Sequence, residues 1–203
     1  MWQARNEYAF LTHWRFRATA QEIYDILADP MGLARWWPSV YLDVKELKPA
    51  GPDGRGRVIG LFTKGFLPYT LKWNFTVTEA TPPTGFKLVA HGDFEGTGVW
   101  TLRQDGDFVD VVYDWRIAAE KPLLRYGSFA LRPFFRANHS WAMARGEESL
   151  RLELARRHAA SQAERALIPA PPGATRVPVG MIAFGLLATA AVIWMVTRRG
   201  RSA

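Results

Sequence analysis

The chain has 203 residues and no cysteine, which excludes disulfides, thiol catalysis and cysteine-ligated zinc. Its formal net charge of +7 is unevenly placed: residues 1–120 hold 13 Lys/Arg against 15 Asp/Glu, residues 121–176 hold 10 against 4, and residues 177–203 add three arginines and no acid. This basic excess lies beside a long apolar run with no nucleic-acid motif, so anionic lipid headgroups, worth on the order of 1 kcal/mol per basic residue near a surface, explain it better than nucleic acid does.

Met1 to Glu7 lacks a basic segment followed by an apolar run and a small-residue cleavage site, so no signal peptide is expected. From Tyr8 to Ala18 the chain alternates, with Phe10, Trp14 and Phe16 on one side and His13, Arg15 and Arg17 on the other, which predicts a half-buried strand. Thr19 and Glu22 have the spacing of a capping box, and Ile23, Ile26 and Leu27 supply the apolar stripe of the helix that it opens. Asp29-Pro30 ends that helix, because the residue before proline is pushed out of helical geometry. Gly32 to Trp37 predicts a second short helix before Pro38.

Between Ser39 and Glu120 turn signals recur at Gly51-Pro52-Asp53-Gly54, Gly65-Phe66-Leu67-Pro68, Pro82-Pro83-Thr84-Gly85, Gly96-Thr97-Gly98 and Asp105-Gly106-Asp107. The intervening segments alternate, most clearly Tyr69-Leu71-Trp73-Phe75-Val77 and Val109-Val111-Tyr113-Trp115-Ile117, and short connections between them predict an antiparallel meander with one solvated face. After Pro122 the pattern is helical. Pro133 is expected to separate a short helix, Leu123 to Leu131, from a long one reaching about Ala160, whose second half, Glu147 to Arg157, is mostly charged and expected to be solvated. Residues 1–168 thus form one domain, and residues 169–176 begin a proline-rich spacer.

Val177 to Thr197 carries no charge over 21 residues. At about 1.5 Å per residue such a run matches the hydrocarbon core of a bilayer, so a single transmembrane helix is expected, followed by a basic tail at 198–203. Without a signal peptide the domain is expected on the cytoplasmic side, although Arg198, Arg199 and Arg201 crowd the tail against that orientation. Gly185 and Thr189 would let two spans pack closely but leave the oligomeric state open.

The segment Phe16-Arg17-Ala18-Thr19-Ala20-Gln21-Glu22-Ile23-Tyr24-Asp25-Ile26-Leu27-Ala28-Asp29-Pro30, followed by Trp36-Trp37-Pro38, resembles the opening of the START-like superfamily, also called SRPBCC or Bet v 1-like. Its bacterial members are often labelled polyketide cyclase/dehydrase. The order of elements from Tyr8 to Ala160 is similar to the helix-grip fold of that superfamily: an α+β domain in which a curved antiparallel sheet wraps a long C-terminal helix. The resemblance implies a cavity between sheet and helix for an apolar or amphipathic ligand such as a lipid, sterol or polyketide. It implies no cofactor and no fixed catalytic residues.

Of the 27 aromatic residues, 25 precede the apolar run, and one shared interior must hold many of them. Trp73, Phe75, Tyr113, Trp115, Phe135 and Trp141 are the candidate lining residues, and Trp36-Trp37 are candidates to guard the entrance, although for any single one of them ordinary core packing is the favoured reading. His13, His91 and His158 are expected to face water. His139 differs, because Phe135 and Met143 flank it one turn away on either side. With Asn138 it is a candidate to hydrogen-bond a ligand headgroup or carry a proton, against the alternative of a satisfied core histidine. Arg103 and Asp114 depend on strand register. Four scattered histidines have no metal-ligand spacing, and no nucleophile elbow or P-loop is present. Three readings follow: a membrane-tethered module binding an apolar small molecule or lipid, a cyclase- or dehydratase-like enzyme acting on such a ligand, and a protein-interaction module with a vestigial cavity.

Overall fold

The computed structural model describes residues 7–119 and 128–175. Strand β1 (Glu7–Arg17) buries Tyr8, Trp14 and Phe16 and exposes His13, Arg15 and Arg17, as the alternation requires. Helix α1 (Ala20–Leu27) opens on the capping box: the Glu22 amide donates to Thr19 Oγ1 at 3.2 Å, and the Thr19 amide donates to the Glu22 carboxylate at 2.7 Å. Its stripe of Ile23, Ile26 and Leu27 is buried. A 3-10 turn at Pro30–Gly32 leads into the single-turn helix α2 (Leu33–Trp36).

Six strands follow: β2 (Tyr41–Lys48), β3 (Val58–Lys64), β4 (Thr70–Thr81), β5 (Gly85–Gly92), β6 (Phe94–Asp105) and β7 (Phe108–Ala119). Each pairs antiparallel with its sequence neighbour, and β1 pairs with β7, giving one curved seven-stranded sheet in the order β1-β7-β6-β5-β4-β3-β2. The β1–β7 register sets Phe10 opposite Trp115 and Trp14 opposite Val111, so the inward faces of the first and last strands coincide. Helix α3 (Ser128–His158) contributes Met143, Leu150 and Leu154 to the same core. This is the expected helix-grip α+β architecture.

Three expectations change around α3. Pro133 lies inside one continuous helix rather than between two, and being near its N-terminus it removes a single ladder hydrogen bond early in the helix. The part of the expected short helix before Ser128 lies outside the described residues. One face of the second half of α3 is packed while the other stays solvated: Ser149, Leu150, Glu153 and Leu154 are buried, a pattern with helical spacing that the flanking charges disguise. Glu153 tolerates burial because Arg35 from α2 grips both its oxygens, at 2.7 and 2.8 Å, and Arg157 adds a third bond at 3.1 Å. Beyond α3 a short helix α4 (Gln162–Leu167), which the sequence reading lacked, is capped by Ser161.

The described part of the spacer, up to Thr175, doubles back on the domain. The Arg156 guanidinium bonds the Pro169 carbonyl, and Lys64 Nζ donates to the Thr175 carbonyl at 2.6 Å. The expected transmembrane helix, Val177 to Thr197, and the tail lie outside the described residues. Among the described residues no helix is long and apolar enough to cross a membrane.

Candidate functional site

Among the described residues, two aromatic-walled cavities lie between the sheet and the helices. The first, about 160 Å³, sits under the first half of α3, which contributes Phe135, Asn138, His139, Ala142 and Met143. The second, about 200 Å³, sits beside α1 and α2, lined by residues including Tyr24, Leu27, Leu33, Phe75 and Phe86. Four residues line both: Trp37, Tyr41, Trp73 and Tyr113 form an aromatic partition between an α3 cavity and an α1 cavity. Trp73 is fixed there by its indole N–H, which donates to Thr63 Oγ1 at 3.0 Å. Tyr113 is sandwiched between Trp100, at 4.0 Å between ring centres, and Trp115, at 5.6 Å.

Glycines on α3 and at the end of β3 let these parts meet. A Cβ on Gly146 would stand 2.3 Å from the Trp37 ring, so α3 approaches the partition only where it has no side chain. A Cβ on Gly65 would likewise overlap Asn138, whose side-chain oxygen accepts the Leu67 amide at 3.3 Å. Asn138 therefore ties the β3–β4 loop to α3 through its carbonyl oxygen.

His139 stacks on Phe10 at 4.1 Å, and its buried Nε2 has no hydrogen-bond partner among the described residues. Burial lowers its pKa to about 4, so the imidazole is neutral at pH 7. Burial pushes the Tyr69 hydroxyl up to about 12, with neighbouring Tyr8 adding to the shift, and it raises Tyr41 and Tyr113 as well, so these phenols stay protonated. Neither cavity has an Asp or Glu among its described lining residues. Burial pushes the Glu153 carboxyl up, but Arg35 and Arg157 outweigh it and hold the group below its usual range, away from both cavities. The described walls are thus largely aromatic and carry no carboxylate. One cation lines each cavity, Lys64 the α3 cavity and Arg57 the α1 cavity; Lys64 donates to the Thr175 carbonyl and Arg57 to Glu46, each at 2.6 Å.

The sequence candidates separate accordingly. Trp115, Phe135, Asn138 and His139 line the α3 cavity, Phe75 lines the α1 cavity, and Trp73 and Tyr113 line both. Trp36 lines neither; it is 1% exposed and belongs to the core. Trp37 is buried in the partition rather than at an entrance. Trp141 packs on Phe66 at 6.1 Å and lines neither cavity. Arg103 faces out to Asp110 and Asp114 to Arg116. Sequence reasoning missed Tyr8, Phe10, Tyr41, Thr63, Lys64 and Tyr69 as lining residues. Tyr8, Phe10 and Tyr69 share the inward parity of their strands, a signal that was available; Tyr41 and Lys64 lie at strand ends, where parity says little.

A family profile described as polyketide cyclase / dehydrase and lipid transport matches residues 12–155. The chain belongs to that family. No curated protein sequence matches it. Among solved structures, the Zhui aromatase/cyclase from Streptomyces sp. R1128 superposes with a TM-score of 0.63 at 16% identity, covering 77% of this chain and 98% of that one. A START superfamily protein from Mycobacterium smegmatis superposes with a TM-score of 0.54 at 16% identity, covering 70% and 98%. The di-domain ARO/CYC BexL from the BE-7585A biosynthetic pathway gives 0.56 at 14%, covering 83% of this chain and 52% of that one. At these identities the likeness is one of fold.

Proposed function

We propose that this family member is a membrane-tethered binding module that holds one apolar or amphipathic molecule, a lipid or polyketide-like compound, between the sheet and α3. The observation that carries the reading is the pair of aromatic-walled cavities, without a carboxylate among their described lining residues, meeting at a shared partition. Small-molecule pockets begin at about 300 Å³. Neither chamber reaches that size alone and the two together do. The uncharged run from Val177 supports the tether, and tethering raises the local concentration of any ligand dissolved in the bilayer.

Catalysis on the same ligand is the second reading, and His139 is the residue that favours it. A buried imidazole held near pKa 4 is a weak base at pH 7, however, and proton transfer is most efficient when the pKa lies near the working pH. No carboxylate stands in the described cavity walls to take its place. The residues therefore serve retention better than turnover.

The test is native mass spectrometry of the full chain released from lipid nanodiscs, together with titration by the apolar fluorophore cis-parinaric acid. Near one-to-one retention of an apolar molecule is expected. A domain that retains nothing and leaves the fluorophore in water would overturn the reading.

A further inference from the structure

Past residue 155, where the family match ends, the chain stays on the domain. Helix α4 opens on a reciprocal cap: the Glu164 amide donates to Ser161 Oγ at 3.1 Å and the Ala160 amide to the Glu164 carboxylate at 2.8 Å. The helix buries no residue, and Leu167 is 83% exposed. Pro169, Pro171 and Pro172 then favour an extended path. Two side chains of the domain grip carbonyls of this segment, Arg156 that of Pro169 and Lys64 that of Thr175. Within residues 161–175 only Ile168, Pro171, Pro172 and Thr175 are even half-buried. Residues 161–175 are therefore a strap held by bonds to its backbone more than by apolar burial, which places it at the low-stability end of the fold.

The far anchor of the strap is also part of the α3 cavity. Lys64 is half-buried and is the one Lys or Arg among the described residues that line that cavity. Among the described residues its partner is a neutral carbonyl, and no carboxylate pairs with it. A carbonyl oxygen carries only a partial charge. An anionic oxygen entering the cavity therefore attracts the same ammonium more strongly, and in a site partly shielded from water that difference is large. No described lining residue is a carboxylate that would repel it.

We propose that the α3 cavity takes ligands with a carboxylate head, and that this head draws Lys64 away from Thr175 and releases residues 170–175 while Arg156 keeps hold of Pro169. The strap thereby reports occupancy: it is engaged on the empty domain and free on the loaded one. The inference rests on the binding reading above and adds to it the charge of the ligand and a response to its arrival.

Because the chain has no cysteine, spin labels are placed cleanly at Ala174→Cys on the strap and Thr101→Cys on β6, both exposed. Double electron–electron resonance on the full chain in nanodiscs is expected to give one narrow distance distribution when empty. Saturating octanoate should broaden it, and octanol, with the same chain length and a neutral head, should not. Lys64→Met is expected to broaden it without ligand and to weaken octanoate about tenfold, measured by displacement of parinaric acid, while leaving octanol unchanged. A broad distribution in the empty native chain, a narrow one in empty Lys64→Met, or equal broadening by both probes overturns the strap mechanism. Octanoate that displaces parinaric acid while the distribution stays narrow overturns the strap and leaves the binding reading standing. A chain that takes up neither parinaric acid nor octanoate overturns both.

Discussion

His139 is the residue at which packing and titration meet. Its folded pKa lies near 4 and an unfolded histidine titrates near 6.5, so on acidification the unfolded state takes up the proton first. Stability should therefore fall as pH drops from about 6.5 to about 4, at a slope approaching 1.4 kcal/mol per pH unit, and this contribution should level off below about 4. Glu22 acts in a lower window. The Thr19 amide and then His158 hold its carboxyl at about 2, so its contribution is present above about 4.5 and is lost as pH falls through 2. Urea denaturation across pH 2 to 7 separates the two: His139→Phe, which keeps the ring stacked on Phe10, should flatten the upper window and leave the lower one unchanged. Persistence of the slope in His139→Phe would assign it to another group. Asn138→Ala should cost about 1 kcal/mol by freeing the Leu67 amide, and hydrogen exchange at that amide reads the loosened loop directly.

Helix α3 shows where sequence stops specifying structure. The Thr19–Glu22 cap and the strand alternations were legible because they depend on neighbours a few residues apart. The burial of Glu153 was not, because its partner Arg35 lies 118 positions away and the flanking charges imitate a solvated face. Trp36 and Trp37 looked like an entrance from sequence, yet adjacent tryptophans beside Pro38 fit a core equally well, and only the approach of α3 decides between them. Gly146 carries that approach. In an ordinary helix interior, alanine would gain about 1 kcal/mol over glycine. Here the added methyl meets a rigid indole ring, and overpacking of this kind costs roughly 1–3 kcal/mol. Gly146→Ala is therefore expected to lower the melting temperature despite its better propensity. A stabilised variant would mean that Trp37 moves freely and that the partition is soft.

At the scale of the whole molecule, the two chambers and their partition make a prediction about ligand shape. A short amphipathic molecule can be satisfied within the α3 cavity, beside Lys64 and neutral His139, whereas a long one must pass Trp37, Tyr41, Trp73 and Tyr113 to bury its far end in the α1 cavity. Octanoate and palmitate differ only in chain length, and each further buried methylene is worth about 0.8 kcal/mol. Palmitate should therefore compete better than octanoate for parinaric acid in the native chain. Two plugs locate the source of that advantage. Ala142→Phe fills the α3 cavity and is expected to weaken both fatty acids; Ala80→Phe fills the α1 cavity and is expected to remove the advantage of palmitate while leaving octanoate unchanged. If Ala80→Phe left palmitate binding at full strength, the α1 cavity would be a packing defect and the ligand would lie wholly under α3.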